Sequence, residues 1–270
     1  MSVSIQNVVV EYASRRILNG IDLEIDAGEF VSIVGETGCG KSTLLRLILA
    51  EEHPAEGRVL VQGRERPRPD RTCGYVPQKY SLFPDKTVLD NVTFGLDVTS
   101  GWRKRGHKEE ALRYLRHTGL NEADAKKYPY QLSGGMQQRV AIAQALIMKP
   151  PVLLMDEAFS ALDPGTRRGM QRLMKDLWRE SGTTVVFVTH NTREAVCLGT
   201  RVIALAKRGE RGSSVALDLE VPHLDFDSDE EELARLIARV ESASPSLNVA
   251  AESPMARDDD ASPVRTHTRV

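Results

Sequence analysis

The stretch Gly35-Glu36-Thr37-Gly38-Cys39-Gly40-Lys41-Ser42-Thr43 meets the pattern G-x-x-x-x-G-K-[ST] at every required position. The run Phe30-Val31-Ser32-Ile33-Val34 before it reads as a buried strand, and Leu44, Leu45, Leu47 and Ile48 recur behind it at helical spacing. Strand, glycine-rich loop and helix in that order make a phosphate cradle. The glycines let backbone N–H groups turn inward, and the helix N-terminus adds its partial positive charge at the same place. Lys41 then lies against terminal phosphates, and the Ser42 hydroxyl offers an oxygen to magnesium. Kinases, GTPases, helicases and transport ATPases share this loop, so the class must come from elsewhere in the chain.

Around the loop, apolar runs without alternation occur at 152–155, 184–189 and 201–205, separated by helical patterns at 166–181 and 193–198. Strands of that kind belong to a parallel sheet covered on both faces. Ahead of the loop, 4–12 and 21–25 read as strands joined by a polar turn over 14–19, giving an antiparallel layer. Gly57–Gly63 and Cys73–Val76 read as further strands, with the arginine- and proline-rich stretch 64–71 between them as a solvated loop. From Lys79 to Pro150 the pattern turns helical, notably over 87–95, 107–118 and 140–148. The expected fold is therefore α/β: a P-loop NTPase (RecA-like) core, an N-terminal antiparallel β layer and an inserted α-helical subdomain over about 79–150. The nucleotide-binding unit spans 1–220, an acidic segment with one amphipathic helix follows over 221–241, and 242–270, rich in Ser, Pro, Ala and charge, reads as disordered.

Composition closes several doors. With a formal charge of −2 over 270 residues there is no basic excess to hold a nucleic-acid backbone. The most apolar region, 140–155, is interrupted by Gln144, Lys149, Pro150 and Pro151, too soon for a membrane span. The start lacks the charged and apolar regions of a secretory signal, which suits a cytoplasmic protein. Three scattered cysteines, Cys39, Cys73 and Cys197, suit reduced thiols, and alkylation of Cys39 inside the loop is expected to block nucleotide binding.

The strand Val152–Met155 delivers Asp156 and Glu157 at its C-terminal end, where ligand sites of such sheets gather. Asp156 is placed to bind magnesium, and Glu157 to polarise the water that attacks the terminal phosphate. Tyr12 ends its strand close to where adenine can lie and stack, although a half-buried strand tyrosine is an equal reading.

Leu132-Ser133-Gly134-Gly135-Met136-Gln137-Gln138-Arg139 separates the classes: here the chain resembles the ATP-binding cassette proteins. The signature matches through Gly135 and departs at Met136, where many members have glutamine; Gln144 stands where relatives commonly have arginine. Ser133 with the Gly134 and Gly135 amides at a helix start is a second anion site. The resemblance implies ATP and Mg2+ as cofactors, and a head-to-tail homodimer in which one copy's signature closes over the other's nucleotide. It further implies that Gln78 is a magnesium and water ligand sensing nucleotide state, that Ser160-Ala161-Leu162-Asp163 crosses the dimer interface, and that His190 is the switch histidine on the terminal phosphate.

Finer similarity, over 80–84, 87–92, 133–136 and 155–167, is to the ATPase subunits of nitrate, sulfonate, taurine and related anion importers. That implies membrane permease partners, a solute-binding protein acting through them, and a place on the cytoplasmic face of the membrane. In the groove near 78–85, Leu82 and Phe83 are the apolar anchors for a permease helix, with ordinary subdomain packing as the even alternative. Lipid trafficking, export and a soluble cassette ATPase remain the other readings.

Overall fold

The computed structural model describes residues 1–13, 15–79, 82–100, 106–222, 224 and 229–244. At its centre lies β3 (Phe30–Gly35), all six residues buried. Parallel neighbours flank it, β7 (Thr184–Val188) on one side and β8 (Arg201–Lys207) on the other. Beyond β7 come β6 (Val152–Asp156) and the edge strand β5 (Cys73–Val76), also parallel. Each is a short apolar run because helices cover both faces, leaving no solvent side to demand alternation.

β1 (Val3–Tyr12) pairs antiparallel with β2 (Arg15–Ile25) and with β4 (Glu56–Val61). The polar turn expected over 14–19 is largely strand: Arg15 already pairs with Tyr12, and Leu18 is fully buried opposite Val10. Ser14 lies outside the described residues.

β9 (Ser213–Glu220) had no clear sequence signature, since its serines and Asp218 break the apolar run. It runs antiparallel to β8 and touches β2 through a single parallel bridge, Leu18 to Ser213. That bridge joins the N-terminal layer to the core in one nine-stranded sheet, ordered β4-β1-β2-β9-β8-β3-β7-β6-β5. Arg201 braces the junction, holding both Asp218 oxygens at 2.6 Å and reaching Glu29 and the Glu24 carbonyl.

α1 (Lys41–Leu49) follows the phosphate loop. Between β5 and β6 stand α2 (Val88–Ser100), α3 (His107–His117), α4 (Glu122–Ala125) and α5 (Gly134–Leu146), which share a core of Val88, Val92, Ala111, Leu115, Val140 and Ala143. α5 begins six residues before the apolar run at Val140, because the Ser133 hydroxyl caps it by accepting from Met136 N at 3.3 Å. Leu82 packs on this helical core, and Phe83 lies 4.5 Å from Phe94 with Lys86 over both rings. Tyr80 and Ser81, part of the importer similarity, lie outside the described residues. The 64–71 loop is not wholly solvated either: Arg66 is nearly buried, pairing with Asp70 at 3.0 Å and donating to the Ile48 carbonyl.

α6 (Pro164–Ser181) and α7 (Thr192–Leu198) complete the core, and α8 (Glu230–Ala243) lies against it. Leu233, Leu236 and Val240 of α8 are buried over Val34, Ala195, Val202 and Ala204. The expectation of disorder from residue 242 fails at its start: α8 runs to Ala243, and Ser244 is buried with its hydroxyl donating to the Leu205 carbonyl. Residues 225–228 of the acidic segment and 245–270 lie outside the described set. Leu233→Ala is expected to destabilise the fold by about 2–5 kcal/mol, the usual loss for a large-to-small core change, read from the urea midpoint. An unchanged midpoint would mean that α8 is an ornament rather than part of the core.

Candidate functional site

The phosphate loop leaves β3 at Gly35 and enters α1 at Lys41. Gly40, at φ 98°, is the N-cap, and a Cβ there would stand 2.6 Å from the Leu18 side chain. A Cβ on Gly35 would meet the Cys39 sulfur at 2.6 Å and the Leu205 carbonyl at 2.7 Å. Only glycine fits either place. Lys41 curls back over the loop, its Nζ donating to the carbonyls of Gly35 at 2.7 Å and Glu36 at 3.0 Å. The ammonium thus sits inside the curl that Gly35, Glu36, Thr37, Gly38 and Cys39 describe.

Cys39 is fully buried, and burial pushes its thiol pKa up. The expectation that an alkylating agent reaches it is therefore corrected: a thiolate must form and be exposed to react, and burial opposes both. All three thiols are buried, so maleimide on the native protein should label none of them within minutes, whereas denaturant should release all three. Mass spectrometry counts the adducts, and rapid native labelling at Cys39 would contradict the placement.

Ser42 sits in the first turn of α1 with its hydroxyl 3.2 Å from Asp156 Oδ1 at the end of β6. Burial, then the neighbouring Glu157 charge, raises the Asp156 pKa, with Ser42 and Lys41 opposing. A hydroxyl and a partly desolvated carboxylate are hard oxygen donors that gain from a small cation. Tyr75 of β5 also reaches this carboxylate; burial and then Asp156 push its pKa to about 12. Sequence reasoning missed Tyr75, although a hydroxyl inside a short apolar strand two residues before Pro77 was the available signal.

Glu157 leaves β6 in the left-handed region, φ 45°, with its N–H donating to the Val188 carbonyl at 2.9 Å. That backbone is uncommon for a non-glycine residue and turns the side chain away from the strand line. Gln78 donates through Nε2 to Glu157 Oε2 at 2.9 Å, and His190 Nδ1 lies 3.4 Å from the same oxygen. Ser160 is the next neighbour, 3.5 Å from Gln78 Nε2. Three chain segments after β5, β6 and β7 thus converge on one carboxylate at the C-terminal edge of the sheet, where such sheets bind ligands.

The remaining sequence candidates do not join this cluster. Tyr12 is exposed at the end of β1, its hydroxyl on Glu52 and within reach of Thr43 in α1, so its ring flanks the phosphate-loop helix. Ser133, Gly134 and Gly135 start α5 in the helical insert, and Gly135 packs so closely on Thr166 that a Cβ would come within 2.4 Å. Asp163 caps α6, accepting from Thr166 N at 3.1 Å, and its carboxyl is held below the usual range by the Thr166 hydroxyl first and this N–H second. Among the described residues no set of three His, Cys, Asp or Glu side chains forms a metal cage. Ser42, Asp156 and Gln78 likewise provide too few donors to enclose a cation alone, which suits magnesium carried on phosphate oxygens.

The ABC transporter family profile matches residues 18–160. An aliphatic sulfonates import ATP-binding protein of Pseudomonas savastanoi pv. phaseolicola is 42% identical over 221 residues, covering 82% of this chain and 78% of that protein. A spermidine/putrescine import ATP-binding protein of Marinobacter nauticus is also 42% identical, over 75% of this chain and 54% of its own length. Among solved structures, a dimeric ATP-binding cassette in a post-hydrolysis state bound to ADP and Pi superposes with a TM-score of 0.70 at 36% identity, covering 82% of this chain and 99% of that one.

Proposed function

Because this chain belongs to the ABC transporter family and is an ATP-binding cassette of it, we propose that it is the ATP-hydrolysing subunit of an importer for a small anion such as nitrate, a sulfonate or taurine. The observation that carries the hydrolytic part is the convergence of Gln78 and His190 on Glu157, beside the Ser42–Asp156 pair. The curled loop from Gly35 to Thr43 takes the phosphates, and Tyr12 stacks on adenine. Lys41 exchanges its loop carbonyls for phosphate oxygens. Ser42, Asp156 and Gln78 hold Mg2+, which when bound neutralises charge on the phosphates. Glu157 orients a water toward the terminal phosphorus and accepts its proton, and His190 fixes the departing phosphoryl oxygens. Breaking the P–O bond leaves ADP and inorganic phosphate.

Ser133, Gly134 and Gly135 stand outside this cluster, and α5 presents their end to a nucleotide held by a second copy, so two copies complete two sites. Asp163 stands at the same interface. Among the described residues no helix is long and apolar enough to cross a membrane. The similarity to importer ATP-binding subunits supports a transport path in permease subunits bound at the cytoplasmic face, with Leu82 and Phe83 in the receiving groove.

The equal identity to sulfonate and spermidine/putrescine importers supports a second reading in which the solute is a cationic amine. The deciding experiment measures ATPase activity of the chain with its native permease in lipid and the cognate binding protein. Nitrate, taurine, alkanesulfonates, putrescine and spermidine are added one at a time. Stimulation by an anion is the expected result; stimulation by a polyamine alone transfers the assignment to the amine, and indifference to all five removes the importer reading.

A further inference from the structure

Several buried polar groups near the site belong to residues to which the hydrolytic scheme assigns nothing. α6 carries Arg167, Gln171 and Lys175 at four-residue spacing, so they share one face of the helix. Each grips a different segment. Arg167 donates to the carbonyls of Phe159 at 3.1 Å, Ser160 at 3.3 Å and Leu162 at 2.7 Å, clamping the turn that follows Glu157. Gln171, 3% exposed, donates through Nε2 to Oε1 of Glu194, itself 7% exposed. Lys175 donates to the Cys197 carbonyl at 2.9 Å, at the far end of α7.

Glu194 is the node. Its other oxygen accepts from the Thr189 hydroxyl, which in turn accepts from Asn191 N at 3.1 Å, while Asn191 Oδ1 accepts from Glu194 N at 3.0 Å. These bonds enclose His190 on both sides, and its ring projects to Glu157. A carboxyl 7% exposed is unfavourable as an anion unless its oxygens are matched by donors. The matched donors hold the Glu194 side chain in one packed arrangement beside the His190 turn.

We propose that Glu194, held by Gln171, is a positioning residue for His190, and that the Arg167–Gln171 face of α6 ties the 159–163 turn to the His190 turn so that the two move together. This rests on the assignment of His190 above. A displacement of 159–163, the segment placed at the interface with a second copy, then reaches His190 through one rigid helix without passing through the nucleotide.

The test is a single-turnover series with MgATP on the full-length chain, which keeps slow hydrolysis quantifiable. Gln171→Met conserves volume while removing the donor, and is expected to lower the hydrolysis rate about tenfold, since small misplacement of a reacting group has large effects on rate. ATP affinity should stay within about twofold, because nothing that touches phosphate is removed. Glu194→Ala should match or exceed that loss. Glu194→Gln, whose amide can still accept from Gln171 and donate to Thr189, should recover most of the rate and remains informative if the alanine variant does not fold.

The decisive arm is the double variant with His190→Ala. A residue acting through His190 adds no further loss once His190 is gone. Losses that multiply, or full activity in both Gln171→Met and Glu194→Ala, overturn the coupling and leave the His190 assignment standing. If His190→Ala alone hydrolyses at the parent rate, the His190 assignment falls and this proposal with it.

Discussion

Glu157→Gln is expected to lower kcat for ATP hydrolysis about 100- to 1000-fold, within the range a positioned general base contributes. The amide is nearly the same size and can occupy the same left-handed backbone, so the turn held by the Glu157 N–H to Val188 bond should survive. It lacks basicity. Gln78 Nε2 and His190 Nδ1 would still find an oxygen at 157, and the Ser42–Asp156 pair is untouched. ATP binding should therefore persist while the closed two-copy state accumulates. Steady-state turnover, nucleotide binding by fluorescence and gel filtration with MgATP read the three consequences separately. Parent-like turnover would remove Glu157 as the base and direct attention to water activated by phosphate itself.

Lys41→Ala should weaken ATP binding about tenfold to a hundredfold, or about 1.4–2.7 kcal/mol, the span expected for losing a charge-assisted bond to phosphate. Two losses contribute. The cation disappears from the mouth of the curl, and the carbonyls of Gly35 and Glu36 lose the donor that now draws them together. Lys41→Met separates these from simple cavity formation, because its side chain fills most of the same buried space, 6% exposed in the parent. Both variants should bind ATP weakly and melt within a few degrees of the parent. Full affinity in either would contradict the assignment of the loop to phosphate.

The features most legible in the sequence were those with a local cause. The phosphate loop, the two carboxylates ending β6 and the apolar central strands follow from short-range chemistry, and the fold class followed from their order. Gln78 and His190 were nameable only through family resemblance, because they reach Glu157 from two other, distant chain segments. β9 was invisible for a related reason: its serines and Asp218 become strand residues only when β8 and Arg201 are beside them. Cys39 was misjudged because position in a loop was taken for exposure, whereas the tight approach to Gly35 hides its sulfur. The Glu194 network escaped for want of any pattern: a lone glutamate on a short helix looks like a solvated charge until Gln171 and Thr189 close over it.

The central place of β3 has a consequence for synthesis. Val31 finds its hydrogen-bonding neighbours at Val186 and at Arg201. At roughly 5–20 residues per second, a ribosome exposes the phosphate-loop strand on the order of ten seconds before either partner has been made. During that interval an apolar strand waits with both edges open, the condition in which foreign strands are recruited. ATP offers no early rescue, since the curl it binds is anchored against Leu205, which arrives last. Yield in a foreign host should therefore respond to translation rate and to chaperones that shield the nascent chain, more than to nucleotide supplied afterwards.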